Sequence, residues 1–144
     1  MEYTLAIIKP DAVARNLTGR ILSHLEEEGF RIRSIRMLRL TEAQASEFYA
    51  VHRERPFYAS LVRFMTSGPV VPVLLERDDA VARLREVIGA TDPAEAKPGT
   101  VRALYAESKE RNAIHASDAP ETARREAAFF FATADVLGAA GEAG

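Results

Sequence analysis

The chain has 144 residues, 47% of them apolar and 28% charged, a balance that excludes a disordered, collagen-like or coiled-coil protein. Its 19 basic and 21 acidic residues leave a net charge of −2, so nothing draws it globally to nucleic acid or an anionic membrane, and anion binding must come from a local cluster. There is no cysteine, which excludes a disulfide scaffold, thiolate zinc and a cysteine nucleophile and fits a reducing compartment.

The length suits one domain, and we expect residues 1–144 to form it, with a flexible Gly/Ala-rich tail at about 138–144. The start, Met1-Glu2-Tyr3-Thr4, has no basic stretch ahead of an apolar run, and no apolar run approaches the roughly 18 residues of a membrane span. A cytoplasmic protein without membrane contact is expected.

Tyr3 to Ile8 is a short apolar run closed by Lys9-Pro10, the pattern of a buried strand with Lys9 at its exit. Leu17, Ile21, Leu22 and Leu25 make one helical face opposite Glu26 to Glu28, and Gly29 suits the C-cap. Arg31 to Leu40 reads as a strand in which Ile32, Leu38 and Leu40 share one phase and Ile35 and Met37 the other, as a bulge or a two-sided strand would require. Thr41 to Gln44 has the capping-box form and predicts a helix over about 42–52, followed after Pro56 by a second over Phe57 to Met65. Ser67-Gly68-Pro69 turns the chain into a third strand, Val70 to Leu75.

Asp78 or Asp79 can cap a helix with Val81, Leu84 and Ile88 on one side that ends at Gly89. Thr100 can cap a short helix, Ala113 to His115 is a brief strand, and Asp118-Ala119-Pro120-Glu121 can open a last helix carrying Ala123, Ala127, Phe130 and Phe131. Without the extra helices this order is β-α-β-β-α-β, a ferredoxin-like α/β (α+β) fold: a four-stranded antiparallel sheet with helices packed on one face.

Neither glycine-rich phosphate cradle is present, which weighs against a P-loop kinase or a Rossmann dehydrogenase, and the three histidines are too far apart for a paired metal motif. His115 ends a strand just before a helix start, where an imidazole could act as nucleophile or general base. Read locally, the same residues fit a core histidine with Ser117 and Asp118 as capping groups, and Glu126 fits either a partner of the histidine or a solvated helix position. Lys9, Arg55, Arg85 and Arg102 lie near element ends and could converge on a polyphosphate or form surface ion pairs. Phe57 could stack on a base or pack in the core.

Seven ordered motifs go further: Ile7-Ile8-Lys9-Pro10-Asp11, Phe48-Tyr49, Arg55-Pro56-Phe57-Tyr58, Phe64 to Pro69, Gly89 to Pro93, Lys97 to Arg102 and Asn112 to Asp118. In this order, from Thr4 to about Phe131, the chain resembles the nucleoside diphosphate kinase family. The resemblance implies a ping-pong cycle in which His115 takes the γ-phosphate of a nucleoside triphosphate, carries it as phosphohistidine, and passes it to a nucleoside diphosphate.

By the same resemblance Lys9 and Arg102 match the phosphate-binding lysine and arginine, and Arg85 and Thr91 the pair on the inner phosphates. Asn112 and Lys9 match the residues at the sugar hydroxyls, Tyr49 and Glu126 those that orient the histidine, and Phe57 with Leu61 the base platform. Mg²⁺ is implied as cofactor, held mainly by the nucleotide phosphates without a protein metal site, and a homo-oligomer, tetramer or hexamer, is implied as the assembly. Two positions depart from the family pattern: Ala116 stands in place of a glycine, and Lys109 in place of an apolar residue facing the base. The rival readings are a non-catalytic nucleotide-binding regulatory module on the same fold, and an RNA-binding domain, which the net charge disfavours.

Overall fold

The computed structural model describes residues 1–137, so the tail expected to be flexible at 138–144 lies outside the described residues. Four strands, β1 (Glu2–Ile8), β2 (Arg31–Ile35), β3 (Val71–Arg77) and β4 (Ile114–Ala116), form one antiparallel sheet in the order β2-β3-β1-β4. The helices are α1 (Pro10–Ala14), α2 (Thr18–Glu27), α3 (Glu42–Phe48), α4 (Tyr58–Met65), α5 (Ala80–Ile88), α6 (Val101–Tyr105), α7 (Pro120–Phe130) and α8 (Thr133–Leu137), with 3-10 turns at Ala50–His52 and Pro93–Glu95. This is the ferredoxin-like α/β arrangement, with one addition: helices cover both faces of the sheet.

The cause is visible along β1 and β3, whose residues are buried on both sides. Ala6, Ile8, Val73 and Leu75 pack with Ile21 and Leu25 of α2 and Leu84 and Ile88 of α5. Leu5, Ile7 and Leu74 point the other way, onto Phe48, Val62, Met65, Ala127 and Phe130 of α3, α4 and α7. A side-chain period of two sends alternate residues to opposite faces, so a nearly continuous apolar strand needs cover on both.

Several boundaries differ from the sequence expectations for local physical reasons. β2 stops at Ile35, not Leu40: its register slips between Ile32 and Ser34, a bulge, Ser34 and Ile35 still pair with β3, and beyond them the Arg36 N–H bonds to the Pro72 carbonyl and Leu38 forms an isolated bridge to Val70. The helix expected over 42–52 ends at Phe48, and the chain tightens into the turn Ala50–His52. Its capping box is present, Thr41 and Gln44 satisfying each other's backbone N–H groups.

Asp79 stands at the N-cap of α5 at φ 55° and its side chain caps nothing; Glu2 supplies the acceptor instead, taking the Val81 N–H at 2.7 Å. Ala119, not Asp118, precedes α7, with Pro120 in its first turn where a missing N–H costs nothing. Gly89 ends α5 at φ 88°, and a Cβ there would lie 2.5 Å from Thr100 Oγ1, so glycine is what lets the following loop close over the end of α5. No helix among the described residues is long and apolar enough to cross a membrane.

Candidate active site

The site forms where β1 and β4 end side by side. Antiparallel pairing sets Ile7 opposite His115 and Ile8 opposite Ile114, which brings Lys9 alongside Asn112. Lys9 Nζ donates to Asn112 Oδ1 at 2.8 Å, and Asn112 Nδ2 donates to the Thr91 carbonyl at 3.3 Å. Both Lys9 and Asn112 are buried. Burial, and then the charge of Arg102, lower the Lys9 ammonium from its usual 10.5 to about 8.

Ile114 and Ala116 join the core shared with α2 and α5, so the alternation turns His115 to the other face, against α3 and α7. There its Nε2 lies 2.8 Å from Glu126 Oε1, and Ser117 Oγ donates to the same oxygen at 2.6 Å. Burial works to raise the Glu126 carboxyl, but the hydrogen bonds from His115 and Ser117 outweigh it and hold the group below the usual carboxylate range. An ionised Glu126 accepts the Nε2–H of His115, which leaves Nδ1 as the nitrogen with a free lone pair. The His115 side chain keeps 20% of its exposure, enough for a substrate atom to reach it.

Phe48 and Tyr49 wall the imidazole edge-on, with ring centroids 5.7 and 6.1 Å from that of His115. The Tyr49 hydroxyl is buried without a hydrogen-bond partner, and burial followed by the nearby Glu126 charge raises its pKa, so it stays a neutral phenol.

Arg102, on α6, reaches back under the site and donates to the carbonyls of Gly89 at 2.9 Å and Ile114 at 2.7 Å. Burial and the neighbouring Arg85 lower it to about 10, so it is a cation at neutral pH. Arg85 is exposed and makes a long contact, 3.5 Å, from Nη1 to the Ala116 carbonyl. A cleft of about 790 Å³ opens on the side of Arg85 and Arg102, lined by these two with Thr91, Lys97 and Thr100 and by the glutamates Glu28, Glu86 and Glu95; His115, Lys9 and Asn112 do not line it. Among the described residues no group of three or more His, Asp or Glu is placed to hold a metal.

Phe57 is not a core residue: it stands 48% exposed at the start of α4, with its ring 5.4 Å from that of His52. Leu61, one turn on, packs on the second core, and its N–H bonds to the Phe57 carbonyl. Arg55 and Lys109 are exposed, whereas Lys9, Asn112 and Arg102 are buried. Ala116 is not among the non-glycine residues with positive φ, which are Asn16, Asp79 and Ala113, so its Cβ costs no backbone strain.

Two residues escaped the sequence reading. Ser117 read as a cap, yet it is fully buried and binds Glu126. Asp11 read only as part of a motif, yet it is buried and accepts the Ala113 N–H at 3.1 Å. The signal available was each polar residue's place beside an apolar strand end, where a buried polar group needs a partner.

Fold and site together define a transferase-like α/β protein with a carboxylate-held histidine near the buried cations Lys9 and Arg102, suited to a phosphate-bearing substrate. The model of the family "Nucleoside diphosphate kinase" matches residues 2–136. Curated nucleoside diphosphate kinases of Chlorobium chlorochromatii and Acidiphilium cryptum are 58% and 59% identical over 137 residues, each alignment covering 95% of this chain and 98% of theirs. The Aquifex aeolicus nucleoside diphosphate kinase structure superposes with a TM-score of 0.91 at 50% identity, covering 93% of this chain and 97% of that one. A Halobacterium salinarum nucleoside diphosphate kinase in complex with CDP gives 0.89 at 40%, covering 93% and 90%. The chain belongs to the nucleoside diphosphate kinase family. Its activity is transfer of the γ-phosphate of a nucleoside triphosphate to a nucleoside diphosphate.

Proposed function

We infer that His115 Nδ1 is the atom that takes the phosphoryl group, and the observation that carries this is the Nε2 contact to Glu126. In the first half-reaction the Nδ1 lone pair bonds to the γ-phosphorus, the bond from that phosphorus to the bridging oxygen breaks, and the nucleoside diphosphate leaves. Glu126, steadied by Ser117, keeps the Nε2 proton in place and balances the positive charge that the ring gains. In the second, a terminal phosphate oxygen of another nucleoside diphosphate attacks the phosphorus and frees His115. One site thus serves donor and acceptor in turn.

Lys9, Arg85 and Arg102 neutralise the transferring and inner phosphates, with Thr91 at the inner pair, Asn112 and Lys9 at the sugar hydroxyls, and Tyr49 as an edge-on wall holding the imidazole plane. Transfer of this kind depends mainly on position and charge neutralisation, which this set of fixed cations suits. Phe57 and Leu61 offer a stacking surface without hydrogen-bond readout, which accepts any base.

Mg²⁺ belongs to this reading as a cofactor held by the nucleotide: the cleft carries the cations Arg83, Arg85, Lys97 and Arg102, and its glutamates, Glu28, Glu86 and Glu95, are not grouped to hold a metal among the described residues, which fits a metal carried in on the phosphates. Bound there, it would add charge neutralisation on the phosphate oxygens. A homo-oligomer, tetramer or hexamer, a cytoplasmic location, and one domain spanning 1–144 are further parts of the proposal. The exposed Ile35, at the end of the outer strand β2, and Met37, just beyond it, are apolar surface available to such an assembly.

The test is intact mass spectrometry after brief incubation with ATP and Mg²⁺. The expected result is one acid-labile phosphoryl adduct that GDP discharges; ATP binding without an adduct would give the lead to the regulatory-module reading.

Lys9 adds a pH signature. Its folded pKa, about 8, lies below its unfolded value of 10.5, so its penalty against folding is present in full below about 8 and is relieved as pH rises toward 10.5. In the folded protein the charge that phosphate needs is lost as pH rises through about 8. Nucleoside diphosphate affinity, measured by calorimetry, is therefore expected to fall between about pH 7.5 and 9.5 and to stay level in Lys9→Arg. An equally steep fall in both proteins would assign the titration to another group.

A further inference from the structure

We propose that Asp11 is a positioning residue for transfer, holding Ala113 in a strained turn that presents Asn112 on one side and His115 on the other. The proposal rests on the reading of the site given above.

The Ile114 N–H donates to the Asn112 carbonyl at 2.8 Å, closing a three-residue turn around Ala113, whose φ is 73°. That is the γ-turn of positive φ, rare and strained for a residue that carries a Cβ. Glycine would adopt it freely; alanine needs something to hold it. Both backbone groups of Ala113 are gripped by one short segment at the exit of β1. The Lys9 N–H donates to the Ala113 carbonyl at 2.9 Å, and Asp11 Oδ2 accepts the Ala113 N–H at 3.1 Å.

Pro10 sits between the two gripping residues and opens α1, so the spacing of the grip is set by a ring-locked residue. The third link runs from Lys9 Nζ to Asn112 Oδ1. Asp11 is buried, and its Oδ1 makes no hydrogen bond. Burial raises its pKa, with the Ala113 N–H and Lys9 working against that, so the carboxyl is kept inside at a cost. A buried carboxyl with one of its two oxygens unused is a poor stabiliser for its own sake. Beside weaker contacts with its own N–H and that of Ala12, its one hydrogen bond to another segment falls on the strained residue, two positions before His115 and one after Asn112.

Release of the turn would let Asn112 and His115 drift relative to Lys9, and a misplacement of the order of 1 Å in such a site costs about a hundredfold. The experiment uses four proteins: Asp11→Ala, Asp11→Asn, Ala113→Gly and the double variant Asp11→Ala/Ala113→Gly. Asp11→Ala is expected to lose about a hundredfold in kcat with a much smaller change in nucleotide KM, since of the binding residues only Asn112 is released while Phe57 and the inner-phosphate cations are untouched. Asp11→Asn keeps an oxygen acceptor for the Ala113 N–H and should stay near the parent kcat.

The decisive protein is the double variant, because glycine takes positive φ without help and should restore most of the lost kcat. A purely structural Asp11 would show no such rescue. Parent-like kcat in folded Asp11→Ala overturns the proposal, and so does a double variant that stays as slow as the single one. Should Asp11→Ala not fold, a double variant that folds and turns over supports the grip, whereas one that also fails to fold assigns Asp11 to general stability and overturns it. His115→Ala run in parallel separates the two levels: activity in that variant removes the underlying reading, while its inactivity beside an insensitive Asp11 removes only this one.

Discussion

Replacing His115 with alanine is expected to cut transfer from GTP to ADP by the order of 10⁶-fold, the scale seen when the nucleophile of a covalent catalyst is deleted. Nucleotide affinity should change little, because the phosphate cations and the Phe57 platform sit on other elements. The loss is large because no second nucleophile stands in the position. Tyr49 is held as a neutral phenol, and Ser117 has its hydroxyl committed to Glu126.

The fold should survive the change. His115 lies on a three-residue strand with Ile114 and Ala116 still locked into the core, and Glu126 keeps Ser117 as a partner. A coupled assay with a calorimetric titration on the same sample checks both halves, and transfer at anything near the parent rate would end the assigned role.

The second large effect is at Glu126. Truncation to alanine removes the acceptor for Nε2–H, so the ring can move its proton to Nδ1 and present no lone pair to the γ-phosphorus. The scale for losing a buried carboxylate that orients a catalytic histidine runs to about 10⁴-fold, and we expect Glu126→Ala to lose between about 10² and 10⁴ in kcat. Glu126→Gln separates two contributions. Its oxygen can still accept from both His115 and Ser117, so the tautomer is kept while the charge that balances the imidazolium is lost, and the decrease should be smaller. Equal losses in the two variants would mean that charge, not tautomer, is what Glu126 supplies. Single-turnover measurement of His115 phosphorylation is the assay of choice, since it sees the first half-reaction alone.

Much of this was legible beforehand because each local signal agreed with the fold. The capping box at Thr41, the glycine ending α5 and the apolar run of β1 all act within a few residues, where the chain's own chemistry decides. The failures share a different cause. Asp79 looked like a helix cap, but Glu2, 79 residues before Val81, supplies the acceptor. Asp118 looked like the cap of α7, yet the chain enters that helix through Ala119 and Pro120.

The second helical layer also rested on distant pairing. Period two sends Leu5 and Ile7 to a face whose partners, Phe48, Val62 and Phe130, lie far along the chain. The candidate site divides the same way. His115, Lys9, Asn112 and Arg102 could be picked out by the motifs around them. Ser117 and Asp11 became visible only once burial and partners were known, because a short polar residue next to a strand end looks the same whether it caps, faces water or holds a neighbour.

The closure of β4 onto β1 carries a consequence for how the protein comes to work. Lys9 and Asn112 stand 103 residues apart in the chain, and β4 joins the sheet only by pairing with β1. Contacts of such sequence separation pay their loop-closure entropy late and slow the search for the native state. The helices can form on their own schedule, but the catalytic centre exists only once β1 has waited for β4. A growing or truncated chain that stops short of residue 116 is thus catalytically silent however much of its helical structure it holds, and turnover itself reports that the whole sheet has closed.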